Sequence, residues 1–360
     1  MVRGSRAIAA LLAATGLVAA APVESAARLS PKYLDLLLRY AHGDRPGAIA
    51  ALAEWSEGAL QKQAAIVEGA VDADERCPKC PSGLAGVPLR AAVMLHADRD
   101  KAEKPEPGGR EETPRCPGRH AKIAGRYAAL LARNPQTQDF ARRFFLTTAL
   151  LWQHRACFED AILEARAGIE LFPREAKLLL TRGSVLEERA ILVTAGLPSG
   201  QLNSLPQEWL KDAQRDFTDA IAFAPDLVLA RVRLGRVLWR LKQPEPARET
   251  LEAALGRARE ADHLYLAHLF LGRIHEDAQR LDQAVAEYRA AAQVYPEGQS
   301  AAVALAHALQ LAGEAEEARR AMARGLTDGR RARDAFSDYL AGNTEGADRM
   351  EADLHRESLE

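Results

Sequence analysis

Four cysteines are the residues whose types and spacing most invite chemistry. Cys77 and Cys80 stand in RCPKCP, Cys116 in RCPGRH and Cys157 in the segment RACFED. Four thiols can pair in three ways, and an even number in an exported chain favours disulfides. The preferred pairing is Cys77 with Cys80 and Cys116 with Cys157, because the second bond would staple the end of a long loop to the helices that follow. A second reading adds His120. CxxC followed some 35 residues later by CxxxH could offer three thiolates and an imidazole to zinc, with Cys77, Cys80, Cys116 and His120 as ligands. Free thiols are the third possibility. A thioredoxin-like role for CPKC would need strands alternating with helices around it, and none is expected there.

The remaining polar residues suggest no catalytic site. His263, His268 and His275 are spaced so that at most two share a helix face. The chain has no HExxH, no Gly-rich phosphate loop and no GxSxG. The IHED run at Ile274 to Asp277 reads as a solvated helix turn, so no catalytic residue is nominated and no cofactor is expected. An enzyme hidden between Glu57 and His120 would have no motif behind it. Formal net charge is −2, which gives no reason to expect nucleic acid.

The elements around these residues read as helical throughout, since the chain is rich in Ala, Leu, Arg and Glu and poor in β-branched runs. MVRGSR followed by an apolar stretch of about fifteen residues has the layout of a secretory signal peptide at residues 1–25. Export to a periplasm or the exterior is the expectation, with no membrane span after cleavage. Residues 26–98 should form an N-terminal helical cap region, with helices at Lys32 to Tyr40, Gly47 to Trp55 and Arg90 to Ala97. Residues 99–119, charged and full of Pro and Gly, read as a loop.

From His120 to Thr327 the pattern is periodic, at about 34 residues. Segments opening at Ala161, Ala213, Ala247 and Ala284 each place a small residue seven positions on (Gly168, Ala220, Ala254, Ala291). Three of them put a bulky residue at the fourth position: Phe217, Leu251 and Tyr288. Gly183, Gly235, Gly272 and Ala306 recur in the preceding helices. Stacked helical hairpins follow, about five of them, with small residues at helix crossings and bulky ones filling the seams to the next hairpin. AGLPSGQLNSLP interrupts the second hairpin, at about 190–207. Residues 328–360 read as a capping helix to about Leu340 and a charged tail.

These positions resemble the tetratricopeptide repeat family. The best match runs from about Tyr265 to Pro296, with Gly272, Ala284, Tyr288, Ala291 and Pro296 in register, and the resemblance covers about half of the chain. It departs from the family at Leu179, Arg231, His268 and Ala302, where an aromatic is usual. The resemblance implies an all-α right-handed superhelical stack whose first helices line a concave groove, and members that chiefly bind peptides or protein segments. Carried over residue by residue, the groove holds Arg233, Arg236, Trp239, Arg240, Phe270, Arg273, Glu276 and His307, with Glu187, Glu188 and Gln310 beside them. Arginines next to an aromatic could grip an acidic segment, or else pair internally, as Arg236 or Arg273 with Glu276. The lysine clamp of chaperone-tail-binding members is absent, since Leu180, Val232 and Leu269 stand there. The expected function is a non-catalytic scaffold or adaptor for a peptide or protein; the alternative is a metal- or redox-linked cysteine module that regulates a binding domain.

Overall fold

The computed structural model describes residues 29–76, 87–102, 116, 119–194, 204–296, 298–326, 334, 336 and 344–357. All sixteen elements among them are α-helices. The chain divides into two compact units, residues 1–160 with 345–360, and residues 161–344. The division falls at Asp160/Ala161, forty residues beyond the expected start of the array, because the helices that follow His120 pack with the N-terminal ones. Among the described residues no helix is long and apolar enough to cross a membrane. The expected signal peptide lies outside the described residues, as do Cys77 and Cys80.

The first unit contains α1 (Pro31–Ala41), α2 (Arg45–Ala53), α3 (Glu57–Arg76), α4 (Val87–Ala102), α5 (Arg119–Ala132) and α6 (Gln138–His154), and it also holds α16 (Thr344–Glu357). α1 and α2 follow the expected helices closely, and α4 extends Arg90 to Ala97 at both ends. α2 carries Pro46 in its first turn and is capped by Asp44, whose carboxylate accepts from Gly47 N at 3.0 Å and so satisfies an orphan donor. The buried Tyr33 hydroxyl bonds His96 Nε2 at 2.9 Å and Tyr127 at 3.2 Å, tying α1 to α4 and α5. Cys116 and the buried Cys157 are joined by a disulfide, with a Cα separation of 5.2 Å. This is the pairing preferred from the sequence, and it removes Cys116 from the zinc set with Cys77, Cys80 and His120. The last residues are not a free charged tail, because α16 buries Leu354 and its Glu357 is ion-paired to Arg90 and Arg143.

The second unit opens in α7 (Phe158–Leu171) and stacks four hairpins: α8 (Ala176–Thr194) with α9 (Ser204–Phe223), α10 (Val228–Arg240) with α11 (Pro244–Leu255), α12 (Ala261–Asp277) with α13 (Leu281–Val294), and α14 (Gln299–Leu311) with α15 (Ala315–Leu326). Each hairpin's second helix also packs on the first helix of the next, and the first helices touch one another in a row. The insertion in the second predicted hairpin narrows, since α8 continues to Thr194 and α9 begins at Ser204. The capping helix expected at 328–340 lies outside the described residues except for Asp334 and Phe336.

A repeated notch sets the hairpin geometry. A Cβ built on Gly235 would sit 2.5 Å from Leu251 Cγ, one on Gly183 would sit 2.6 Å from Phe217 Cε1, and one on Gly272 would overlap the Tyr288 ring. The bulky residues at the fourth position of each repeat therefore fill the glycine notch of their own hairpin, and do not fill the seam to the next as the sequence suggested. Small and large are coupled across one helix pair, which is why they recur in phase. Gly272→Leu should cost about 1–3 kcal/mol by overpacking, and it would also displace the Tyr288 hydroxyl from Glu276. Urea unfolding followed by circular dichroism measures this loss.

The turns inside the hairpins share a second device. Lys242, Gln279 and Gly313 all have left-handed φ, at 62°, 59° and 85°. In each case the next residue's N–H reaches back to the carbonyl five residues earlier in the ending helix, as Gln243 N to Leu238 O at 2.9 Å, Arg280 N to His275 O at 2.9 Å and Glu314 N to Leu309 O at 2.9 Å. That bond closes the first helix and turns the chain toward its partner. Ala156, at φ 56°, does the same between α6 and α7, with Cys157 N on Trp152 O.

Candidate functional site

The row of first helices in the second unit borders a cleft of about 660 Å³. α10 contributes Arg236, Trp239 and Arg240; α12 contributes Leu269, Phe270, Arg273 and Glu276; α14 contributes Gln299, Ser300, Val303, Ala304 and His307. Side chains one turn apart on each helix share a face, so the stack turns three short helical stripes into one wall. Seven of the eight residues expected in the groove line it. The eighth, Arg233, is buried behind it. Arg233 Nη1 donates to Glu187 Oε2 at 2.8 Å and Arg236 Nη1 to Glu187 Oε1 at 3.4 Å, and Glu187 is wholly buried on α8. A carboxylate on one hairpin thus holds two guanidiniums of the next. Arg236 does not pair with Glu276, as one reading of the sequence had it.

The acidic side of the cleft is Glu276 with Asp277. Glu276 accepts from Arg273 Nη1 at 3.0 Å and from the Tyr288 hydroxyl at 3.0 Å, and His307 Nδ1 lies 3.3 Å from it. Burial and the Glu276 charge push the Tyr288 phenol up, so it stays a hydrogen-bond donor. Asp277 accepts from Trp239 Nε1 at 2.8 Å and pairs with Arg273 Nε at 3.2 Å. Arg273 is therefore internally paired, the second of the two roles its position suggested.

Arg240 differs from its neighbours. It donates to the neutral Thr194 hydroxyl, Nη2 to Oγ1 at 2.9 Å. Burial first, and then the nearby Arg236 charge, hold its pKa below the usual arginine value. A guanidinium carries five N–H donors, and a carboxylate brought to this wall would relieve its desolvation.

The apolar side was partly invisible in the sequence. Phe336, beyond the last hairpin, stands 6.1 Å from Phe270 in an edge-on contact, and the Arg236 guanidinium lies 5.2 Å and 5.5 Å from the two ring centres. Two residues earlier, Asp334 anchors this segment by accepting from the Tyr265 hydroxyl at 3.1 Å and from Ser300 N at 2.7 Å. The signal available in the sequence was the Asp-x-Phe pair two positions apart, and nothing there says that it returns to the groove.

Paired helices in phase, with glycine notches and a row of first helices facing a cleft, define a helical hairpin repeat protein. Within it the Tetratricopeptide repeat family model matches residues 229–260, the hairpin of α10 and α11, so the chain carries a tetratricopeptide repeat there. Among solved structures the chain is similar to the crystal structure of MamA protein, at 17% identity over 52% of this chain and 90% of that one, with a TM-score of 0.39. It is also similar to pilF of Pseudomonas aeruginosa, at 18% identity over 60% of this chain and 89% of that one, with a TM-score of 0.44. MamA of Desulfovibrio magneticus RS-1 aligns at 18% identity over 52% of this chain and 93% of that one, with a TM-score of 0.41. No curated protein sequence matches the chain.

Proposed function

We propose that the second unit is a non-catalytic scaffold that binds an extended peptide segment of a protein partner in the cleft, with an acidic side chain of that segment on Arg240 and an apolar one against the Phe270 and Phe336 rings. The observation that carries this reading is Arg240, a half-buried cation on the cleft wall whose hydrogen bond among the described residues goes to a neutral hydroxyl. Charge-assisted hydrogen bonds to a guanidinium are strong and directional. The aromatic pair beside it supplies the apolar area that such recognition uses. The chain is further proposed to act after export, which its N-terminal pattern suggests and the Cys116–Cys157 disulfide suits, since such bonds persist in oxidising compartments.

A random dodecapeptide display library panned on the purified chain tests the reading. Enriched peptides should combine Asp or Glu with an aromatic or large aliphatic residue. Arg240→Ala should weaken them about tenfold to a hundredfold, the equivalent of about 1.5–3 kcal/mol for a hydrogen bond to a charged group. Enriched sequences without acids, or binding that Arg240→Ala leaves unchanged, would contradict it.

A further inference from the structure

The geometry points to a divalent metal site in the first unit, of the zinc class, formed by Asp98 on α4 and by Glu351 and His355 on α16. Glu351 and His355 are four residues apart and so share a helix face. Their ligating atoms and that of Asp98 all lie within 4.8 Å of one another, and all three side chains are half-buried. His355 Nε2 is 3.3 Å from Asp98 Oδ1 and 3.9 Å from Glu351 Oε1.

Proton accounting at the histidine narrows what can sit between these atoms. The Tyr40 hydroxyl donates its one proton to Asp98 Oδ2 at 2.7 Å, so toward His355 Nδ1, at 3.3 Å, it can only accept. Nδ1 therefore carries the ring proton, and Nε2 faces two carboxylate oxygens. With the ring proton on Nδ1, the Nε2 lone pair is directed to the same space as the two carboxylate oxygens. The separations of 3.3 and 3.9 Å bracket the roughly 3.4 Å edge of a tetrahedron whose metal–ligand bonds are about 2.0–2.2 Å. One nitrogen and two carboxylate oxygens with a water in fourth place suit zinc, and Tyr40 supplies the outer hydrogen bond that fixes the ring. The ion would clamp α16 to α4, where Leu354 and the Glu357 ion pairs already hold the helix. It is independent of the cleft, whose residues all lie in the second unit.

Calorimetric titration of the metal-stripped chain with zinc chloride tests the assignment. One equivalent should bind, Asp98→Asn and His355→Gln should each weaken it at least tenfold, and Tyr40→Phe should weaken it about tenfold. X-ray absorption of the zinc-loaded wild type should show a nitrogen and oxygen shell without sulfur, and zinc should slow amide exchange in residues 350–357. These two readouts need no variant, so they decide the matter even where a substitution disturbs folding. Absence of zinc uptake, uptake untouched by Asp98→Asn and His355→Gln, a sulfur shell, or unchanged exchange in α16 would overturn the site.

Discussion

Replacing Glu187 by alanine is expected to destabilise the second unit by about 3–5 kcal/mol, the cost of leaving a buried charge without its partner. Glu187 has no exposed surface, and Arg233 and Arg236, each 6% exposed, both donate to it. With the carboxylate gone, two guanidiniums remain in a desolvated seam between α8 and α10, three residues apart on one helix. The Phe270 and Phe336 rings, which Arg236 would still contact, cannot replace a counter-charge. Removing the whole triad with residues of similar volume, as Glu187→Leu with Arg233→Met and Arg236→Met, should recover most of the loss, because the triad's attraction is largely spent on its own desolvation. Urea unfolding of the single and triple variants separates the cases. A loss below about 1 kcal/mol for Glu187→Ala would mean that water reaches the arginines and that the triad is not a buried one. The same result bears on function, since a charge reversal at Arg236 would damage the fold as well as the groove, and Arg240 is the cleaner position to probe.

The second large effect is expected in the other unit. The Cys116–Cys157 bond closes a loop of sequence separation 41. Chain-entropy accounting assigns a loop of that length about 4 kcal/mol of stabilisation, through restriction of the unfolded state. Cys116→Ser with Cys157→Ser, or reduction of the bond, should therefore lower the thermal transition of the first unit by roughly 10 °C, given about 2–4 °C per kcal/mol for a domain of this size. The transition of the second unit should stay in place, because neither cysteine belongs to it. Differential scanning calorimetry with and without reductant reads both transitions in one experiment. A first-unit transition that ignores reduction would show that the loop is already ordered in the unfolded ensemble or that strain offsets the gain.

Which features were legible in the sequence follows from how far apart the interacting residues lie. The notch of Gly235 with Leu251, or of Gly272 with Tyr288, spans sixteen residues and repeats, so its phase could be read directly from spacing, although that reading put the bulky residue in the seam to the next hairpin. The groove residues on α10, α12 and α14 came from the resemblance to the tetratricopeptide repeat family, carried over residue by residue. Arg233 did not. It occupies a groove position by register, and only the position of Glu187 on the neighbouring hairpin, 46 residues earlier, decides that it turns inward. Phe336 and Asp334 escaped for a similar reason, since they belong to no repeat and reach the cleft through a return of the chain. α3 escaped because its alanine-rich sequence has little contrast between faces. α16 escaped because it is mostly charged, and a helix held by Leu354 and by ion pairs to Arg90 and Arg143 has the composition of a solvated tail. The disulfide was readable as one of three connectivities, and a pattern argument could rank them but not choose.

The central claim is that the cleft bordered by α10, α12 and α14 holds an extended acidic peptide. Its most direct test is photo-crosslinking from a benzoylphenylalanine placed at Val303, which lines the cleft and is 41% exposed, using the peptides selected on the wild-type chain. Efficient crosslinking from position 303, suppressed by Arg240→Ala and absent from the exposed Glu249 on α11, is the predicted result. Equal crosslinking from both positions, or crosslinking at 303 that Arg240→Ala does not reduce, would contradict the claim.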